Sequence, residues 1–342
     1  MGKPFKTRLG ANESVFGPSP KAIDAMKQAA GETWMYGDPE NHDLRQALSA
    51  HEDVDPANII IGEGIDGLLG YLVRMVTNPG DAIVTSDGAY PTFNYHVAGF
   101  GGTLHKVPYK GDHEDPDALL AKAAETDAKL IYFANPDNPM GSWHGRETVE
   151  KMVANVPDGC LLILDEAYSQ FLPPTDVPNI DAKEPRVIRF RTFSKAYGMA
   201  GARVGYGIGH PDLITAFNKV RNHFGMARIS QAGALAALAD TAYLDKVVSE
   251  VRASVARIGQ IAGDNGLTAL PTATNFVAVD CGEDGVFAKA VLDALIAEGV
   301  FVRMPFVAPQ NRCIRISCGT PADMDILAEA LPKALDKART RI

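Results

Sequence analysis

LLILDEAY (residues 161–168) and VIRFRTFSKAYGMAGARVGYGI (residues 187–208) are the stretches whose reading decides the fold. Each opens on a short apolar run and then turns abruptly polar, as a strand buried on both faces does where it ends in a loop. Residues 58–61, 82–85 and 130–133 carry similar runs, and 204–208 adds another inside the second stretch. Helical periodicity fills residues 66–75, 117–125 and 147–155 between several of these runs. Strand alternating with helix predicts an α/β fold, a large, mostly parallel sheet layered between helices.

Beyond Pro211 the pattern turns helical as far as residue 264. Three strands follow, NFVAVD at 275–280, VFVRMP at 300–305 and CIRISC at 313–318, with helices at 286–299 and 322–341. This predicts a smaller α+β domain. The expected division is an N-terminal arm or small-domain segment at 1–30, a large cofactor-binding domain at 31–240 and a small C-terminal domain at 241–342.

The chain has 342 residues, 33 basic against 42 acidic, for a net charge of −9. Such a surface repels phosphate backbones and anionic lipid, so neither nucleic acid nor membrane is the expected partner. Small-molecule chemistry remains, and it needs a local cationic pocket. No apolar run approaches the ~20 residues that span a bilayer. The four cysteines, Cys160, Cys281, Cys313 and Cys318, lack zinc-ligand spacing, so no metal is expected and a reduced, cytoplasmic setting is.

Gly62-Glu63-Gly64-Ile65-Asp66-Gly67 follows a predicted strand and opens a predicted helix, and Asp87 ends the next strand. The letters match a dinucleotide-binding turn with its ribose-binding acid. They equally describe a tight strand-to-helix turn whose free N–H groups favour any phosphate. Four later segments form a more specific ordered set: ANPDNPMG at 134–141, LDEAY at 164–168, RTFSKAYG at 191–198 with GARVG at 201–205, and RIS at 315–317. Asp165, directly after LLIL, is costly to bury as an anion without a positive partner. Lys195, one predicted strand away, reaches the same sheet edge, where open α/β sheets bind ligands. A lysine, an anion, the hydroxyls of Thr192 and Ser194 and the guanidinium of Arg203 meet the needs of pyridoxal 5′-phosphate: an amine for its aldehyde, a carboxylate for its ring nitrogen, and donors for its phosphate.

The order PDNPMG, LDEAY, RTFSKAYGMAGARVGY, CIRIS resembles the class I/II aminotransferases of fold type I, most closely the histidinol-phosphate aminotransferase branch. LGANES at 9–14 and MYGDPENHDLRQAL at 35–48 extend the likeness over nearly the whole chain. The resemblance implies an aminotransferase that moves the amino group of histidinol phosphate, or of an aromatic or acidic relative, to 2-oxoglutarate. It makes Lys195 the Schiff-base lysine and the base that moves the proton, Asp165 the partner of the pyridinium, and Tyr168 and Asn138 the partners of the ring's 3-oxygen. Phe93 becomes the stacking aromatic. Gly64, with the N–H groups of Ile65 and Asp66, joins Thr192, Ser194 and Arg203 as the phosphate cup. Tyr36 reaches the phosphate of a neighbouring subunit, which implies a homodimer with sites at the interface. Arg315 grips the substrate α-carboxylate, with Asn138 beside it. Arg303 is the candidate for a side-chain phosphate, and Arg228 for an acidic side chain.

The chain departs from the branch in three places. Asp137 and Met140 replace Asn and Thr, Ile65 replaces a small or hydroxylated residue, and LGANES begins at residue 9 where relatives carry a longer arm. Among rival readings, a decarboxylase resembling threonine-phosphate decarboxylase shares the same lysine and aspartate. A non-catalytic sensor that binds a regulator is a third rival; such proteins carry a DNA-binding module ahead of the fold, and no room for one is expected before Leu9. The dehydrogenase reading rests on the glycine turn.

Overall fold

Alternation of side chains across the pleat builds the sheet. Leu130, Tyr132 and Ala134 face one side and pack with Ile83, Ile163, Ile188 and Phe190. Ile131 and Phe133 face the other side with Val84, Leu162, Leu164 and Val187. Strands with both faces apolar must be covered on both sides. The computed structural model describes residues 4–340. Its strands in chain order are β1 (Thr7–Arg8), β2 (Ile59–Gly62), β3 (Ala82–Ser86), β4 (Thr103–Val107), β5 (Leu130–Ala134), β6 (Leu161–Asp165), β7 (Val187–Thr192), β8 (Gly205–Gly209), β9 (Thr268–Ala269), β10 (Phe276–Asp280), β11 (Val300–Phe301) and β12 (Cys313–Ser317). The helices are α1 (Pro20–Ala30), α2 (His42–Glu52), α3 (Gly64–Val76), α4 (Thr92–Gly99), α5 (Pro116–Thr126), α6 (Arg146–Ala154), α7 (Pro211–Ala216), α8 (Arg228–Ala239), α9 (Thr241–Asp264), α10 (Gly285–Ala297) and α11 (Pro321–Arg339). The helix expected to reach residue 341 ends at Arg339; Arg341 lies outside the described residues.

Seven strands form the main sheet in the order β2-β8-β7-β6-β5-β3-β4. All run in one direction except β8, which is antiparallel to both β2 and β7. Helices α3 and α4 cover one face through Leu68, Leu72, Phe93 and Val97, and α5 and α6 cover the other through Leu119, Val149 and Met152. The expected α/β/α layering is therefore present. It also contains a strand the pattern did not disclose: β4 at the sheet's edge, whose TLHKV is largely polar and partly exposed. Edge strands carry such residues because only one side is paired.

A second sheet, β12-β10-β9, is antiparallel and packs on α9, α10 and α11. Strand β1 pairs in parallel with β11, so the first residues of the chain join this later unit, whereas α1 packs with α8 around Ala22, Met26 and Ala234. No helix among the described residues is long and apolar enough to cross a membrane.

Behind β6 and β7 lies a buried charge network. Glu166 accepts from Arg189 Nε (3.1 Å) and Nη2 (3.0 Å) and from Arg191 Nε (2.7 Å). Arg191 Nη1 also reaches Glu52 (2.5 Å), which accepts in turn from the Tyr206 hydroxyl (2.6 Å). Removing one partner of such a network strands the others as unpaired buried charge. Glu166→Ala is expected to lower unfolding free energy by about 3–5 kcal/mol, read as a fall in the urea midpoint at unchanged slope. A midpoint within error of wild type would contradict it.

Candidate active site

Because β2, β5, β6 and β7 run the same way, their carboxyl ends open on one edge of the sheet, and the turns after them meet there. A cavity of about 250 Å³ at this edge is lined by Ile65, Asp66, Tyr90, Tyr132, Asn138, Asp165, Tyr168, Thr192, Ser194, Lys195 and Arg203, among others. Most of the expected site residues thus come together although they are scattered over more than a hundred positions of sequence.

At one end of the cavity α3 begins at Gly64, presenting the unpaired N–H groups of a first helical turn and the positive end of the helix dipole. Facing it, Thr192 Oγ1 lies 3.0 Å from Ser194 Oγ, and Arg203 Nη1 approaches Ser194 Oγ at 3.4 Å. This end is built for a phosphate. Gly64 is required twice over. Its φ is +80°, and an added Cβ would stand 2.4 Å from Arg203 Nη2.

At the other end Asp165 is buried. Its Oδ2 accepts from the Tyr132 hydroxyl at 2.6 Å and its Oδ1 from the Ala167 N–H at 3.0 Å. Burial raises its carboxyl above the usual range, opposed by the Tyr132 hydroxyl, the Ala167 N–H and the Lys195 ammonium. A cationic ring nitrogen placed beside it would stabilise the anion. Tyr168 Oη accepts from Asn12 Nδ2 (3.2 Å) and Asn138 Nδ2 (3.5 Å). Burial pushes its own ionisation up to about 12, so the hydroxyl retains a proton to donate.

Lys195 Nζ donates to the Asn12 carbonyl at 3.1 Å and stands 5.4 Å from the Tyr168 ring centroid. Burial pushes this amine down to about 8, opposed by Tyr90 and Asp165 and reinforced by Arg315 and Arg203. A lowered pKa raises the neutral, nucleophilic fraction. Arg315 is half-buried, as Lys195 is: Nη1 donates to Asn138 Oδ1 (2.5 Å), Nη2 donates to the Gly10 carbonyl (3.3 Å), and Nε, itself buried, has no partner among the described residues. An orphaned buried guanidinium N–H suits a carboxylate or phosphate oxygen. Arg303 is paired backbone to backbone with Arg315, at the exposed rim.

The structure corrects Phe93 and the dinucleotide reading, and it places Arg228 and Tyr36, the latter expected at a neighbouring subunit's phosphate, outside this cavity. Phe93 is fully buried and stacks on Tyr132 in the core (centroids 4.8 Å, planes 16° apart), so it cannot face a ligand ring; Tyr90, three residues earlier and 42% exposed, lines the cavity instead. The signal for Tyr90 was its place just past the end of β3, before the turn enters α4. The dinucleotide reading of 62–67 fails on topology. Strand β2 pairs with antiparallel β8 and lies at the opposite end of the sheet from β3, whereas a dinucleotide fold needs the two strands adjacent and parallel. Asp87 pairs with Lys106 (3.1 Å) away from the cavity. Arg228, at the start of α8, pairs with Glu32 (3.1 Å) in a separate surface pocket. Tyr36 is 81% exposed and packs on Phe224 (4.8 Å), also outside this cavity. Residues without an assigned role also contribute: Tyr132, inward-facing on β5, and Asn12, whose short segment 9–14 leads from β1 to the lysine.

A half-buried lysine of depressed basicity, a buried aspartate lining the same cavity and free N–H groups at a helix start fit a pyridoxal-phosphate enzyme of the fold-type I architecture. The family model for aminotransferase class I and II matches residues 5–331, and the chain belongs to that family. The cofactor is pyridoxal 5′-phosphate, and the enzyme is an aminotransferase acting on small amino and oxo substrates. Similar in structure is histidinol-phosphate aminotransferase from Sinorhizobium meliloti, in complex with pyridoxal 5′-phosphate, at 55% identity and TM-score 0.96, covering 100% of this chain and 93% of that one. Histidinol-phosphate aminotransferase of Moorella thermoacetica is 33% identical over 96% of this chain and 85% of its own length. Thermus thermophilus aspartate aminotransferase with maleate, at 21% identity and TM-score 0.81, shares the fold.

The glycine at the cup offers a direct check. Gly64→Ala forces a left-handed backbone on a residue with a Cβ, a strain of about 1–3 kcal/mol, and pushes Arg203 aside. Cofactor retention is expected to weaken by about tenfold or more at 1.4 kcal/mol per decade, measured by equilibrium dialysis. Wild-type retention would show that the cup does not depend on this approach.

Proposed function

We propose that this enzyme transfers the amino group of histidinol phosphate, or of a related aromatic or acidic amino acid, to 2-oxoglutarate. The observation that carries this reading is the 55% identity, along the whole chain, to the Sinorhizobium meliloti enzyme. Steady-state turnover on a panel of donors with 2-oxoglutarate tests it. Preference for histidinol phosphate over phenylalanine is expected, and equal turnover of the two would overturn the donor.

In this reading Lys195 is the amine that binds the cofactor aldehyde. Bound here, pyridoxal phosphate supplies an electron-withdrawing ring that stabilises negative charge developing at the donor Cα. Once the donor amine has replaced it at the aldehyde, the freed Lys195 Nζ, placed beside the cavity by the Asn12 carbonyl and the Tyr168 ring, would take the proton leaving Cα. Asp165 keeps the ring nitrogen protonated, Tyr168 and Asn138 bond the 3-oxygen, and Tyr90 stacks. Ile65 and Asp66 with Thr192, Ser194 and Arg203 hold the phosphate. Arg315 binds the carboxylate of 2-oxoglutarate. Histidinol phosphate has no carboxylate, so its phosphate takes the same cationic wall, toward Arg303.

A homodimer in a cytoplasmic setting belongs to the same reading, with Tyr36 lent to the partner's phosphate cup. Support comes from the exposed cluster of Tyr36 with Phe224, near Trp34, and from four buried unpaired cysteines. Full cofactor affinity in a verified monomer would contradict the shared site. The division at 1–30, 31–240 and 241–342 is part of the proposal too. The pairing of β1 with β11 supports grouping the first strand with the C-terminal unit.

A further inference from the structure

Arg315 does not stand alone on its face of the small unit. Arg303 is hydrogen-bonded to it in both directions, Arg303 N to Arg315 O at 3.2 Å and Arg315 N to Arg303 O at 2.6 Å. Residues so paired project their side chains to the same side. Phe301, two residues before Arg303, shares that side by strand alternation. Arg8 is the parallel register partner of Phe301 and therefore shares it as well. Two cations lie against the ring of Phe301, the Arg8 guanidinium carbon 5.8 Å and the Arg303 guanidinium carbon 5.7 Å from its centroid, and the Phe5 ring packs on it at 5.2 Å. Both arginines are exposed. Neither forms a salt bridge or side-chain hydrogen bond among the described residues, although most other arginines here are paired with carboxylates.

In a chain of net charge −9, an unneutralised row of three guanidiniums from solvent to the half-buried Arg315 is a local field that attracts anions. Gly10 lets this row close up: its missing Cβ would stand 2.8 Å from the Phe301 ring, and its carbonyl holds Arg315 Nη2. We propose that Arg8 is a specificity-determining residue, which with Arg303 receives the dianionic phosphate of the amino donor over the Phe301 ring. The inference rests on the donor assignment above and extends it to a residue of the N-terminal strand. A carboxylate held by Arg315 carries one charge and is satisfied there, so the outer two arginines discriminate by charge and reach.

The test compares histidinol phosphate with histidinol, each with 2-oxoglutarate, for wild type, Arg8→Gln, Arg8→Lys and Arg303→Gln. For Arg8→Gln, kcat/KM for histidinol phosphate is expected to fall about three- to thirty-fold through KM, with kcat and the histidinol values unchanged. Arg8→Lys should restore part of the loss, and added salt should erase the difference between wild type and Arg8→Gln. Arg303→Gln should lose at least as much, again only on the phosphorylated donor. If wild type prefers histidinol phosphate and Arg8→Gln keeps that preference, or loses equally on both donors, the role of Arg8 is overturned while the donor assignment stands. If wild type turns over both donors equally, the donor assignment falls and this inference with it.

Discussion

Lys195→Ala is expected to lose about 10⁴-fold or more of kcat, together with the visible absorbance of the holoenzyme, while the far-ultraviolet dichroism stays that of wild type. In the proposed reading the amine both binds the aldehyde and moves the proton, so no neighbour replaces it. Thr192 and Ser194 are hydroxyls beside the start of α3, and Lys195 is the amine among the residues that line the cavity. Single-turnover mixing with a donor measures the loss, and a variant retaining more than a hundredth of wild-type turnover would refute the role. The pH behaviour follows from the same burial. Protonated Lys195 is no nucleophile, and its amine is pushed down to about 8 from an ordinary 10.5. In cofactor-stripped enzyme the rate of cofactor capture is therefore expected to rise with pH and level off above about 8. Stability of the stripped protein moves in the same direction. The folded state gives up this proton before the unfolded chain does, so unfolding free energy rises between about 8 and 10.5 from this group.

Asp165→Asn is expected to cost about 10²–10³ in kcat and to loosen the cofactor. The amide preserves shape, and the strand ladder that places residue 165 beside Ala134 is backbone. In the proposed reading what it removes is the anion that would face the ring nitrogen. Losing one member of a buried charge pair costs about 3–5 kcal/mol, and part of that appears in the barrier at 1.36 kcal/mol per decade. Turnover at saturating cofactor, alongside the cofactor dissociation constant, separates the two effects. Unchanged kcat with weakened binding would reduce Asp165 to an anchor.

What could be read from the residues differs by element for physical reasons. The runs at 130–133, 161–164 and 187–191 are covered on both faces, so their apolar character is continuous and their ends, where Asp165 and Lys195 appear, are sharp. Strand β4 was invisible because an edge strand needs no such run, and β1 because two residues carry no period. Phe93 and Tyr90 illustrate the limit at a site. Both are aromatics in one short segment, and only the onset of α4 at Thr92 turns Phe93 inward onto Tyr132 and leaves Tyr90 at the cavity. Position in a motif does not determine the direction of a side chain; backbone geometry does.

The amino-acid order by itself determined that this chain is a layered α/β enzyme and that a lysine, an aspartate, two hydroxyls and arginines end successive strands, because burial and strand period act over a few residues. Only the tertiary structure decided which of them meet. Crossing connections bring β2, β5, β6 and β7 to one edge, the antiparallel β8 excludes the dinucleotide turn for the glycine motif, and the pairing of β1 with β11 sets Arg8 opposite Phe301. Those contacts join residues hundreds of positions apart, which no local period records.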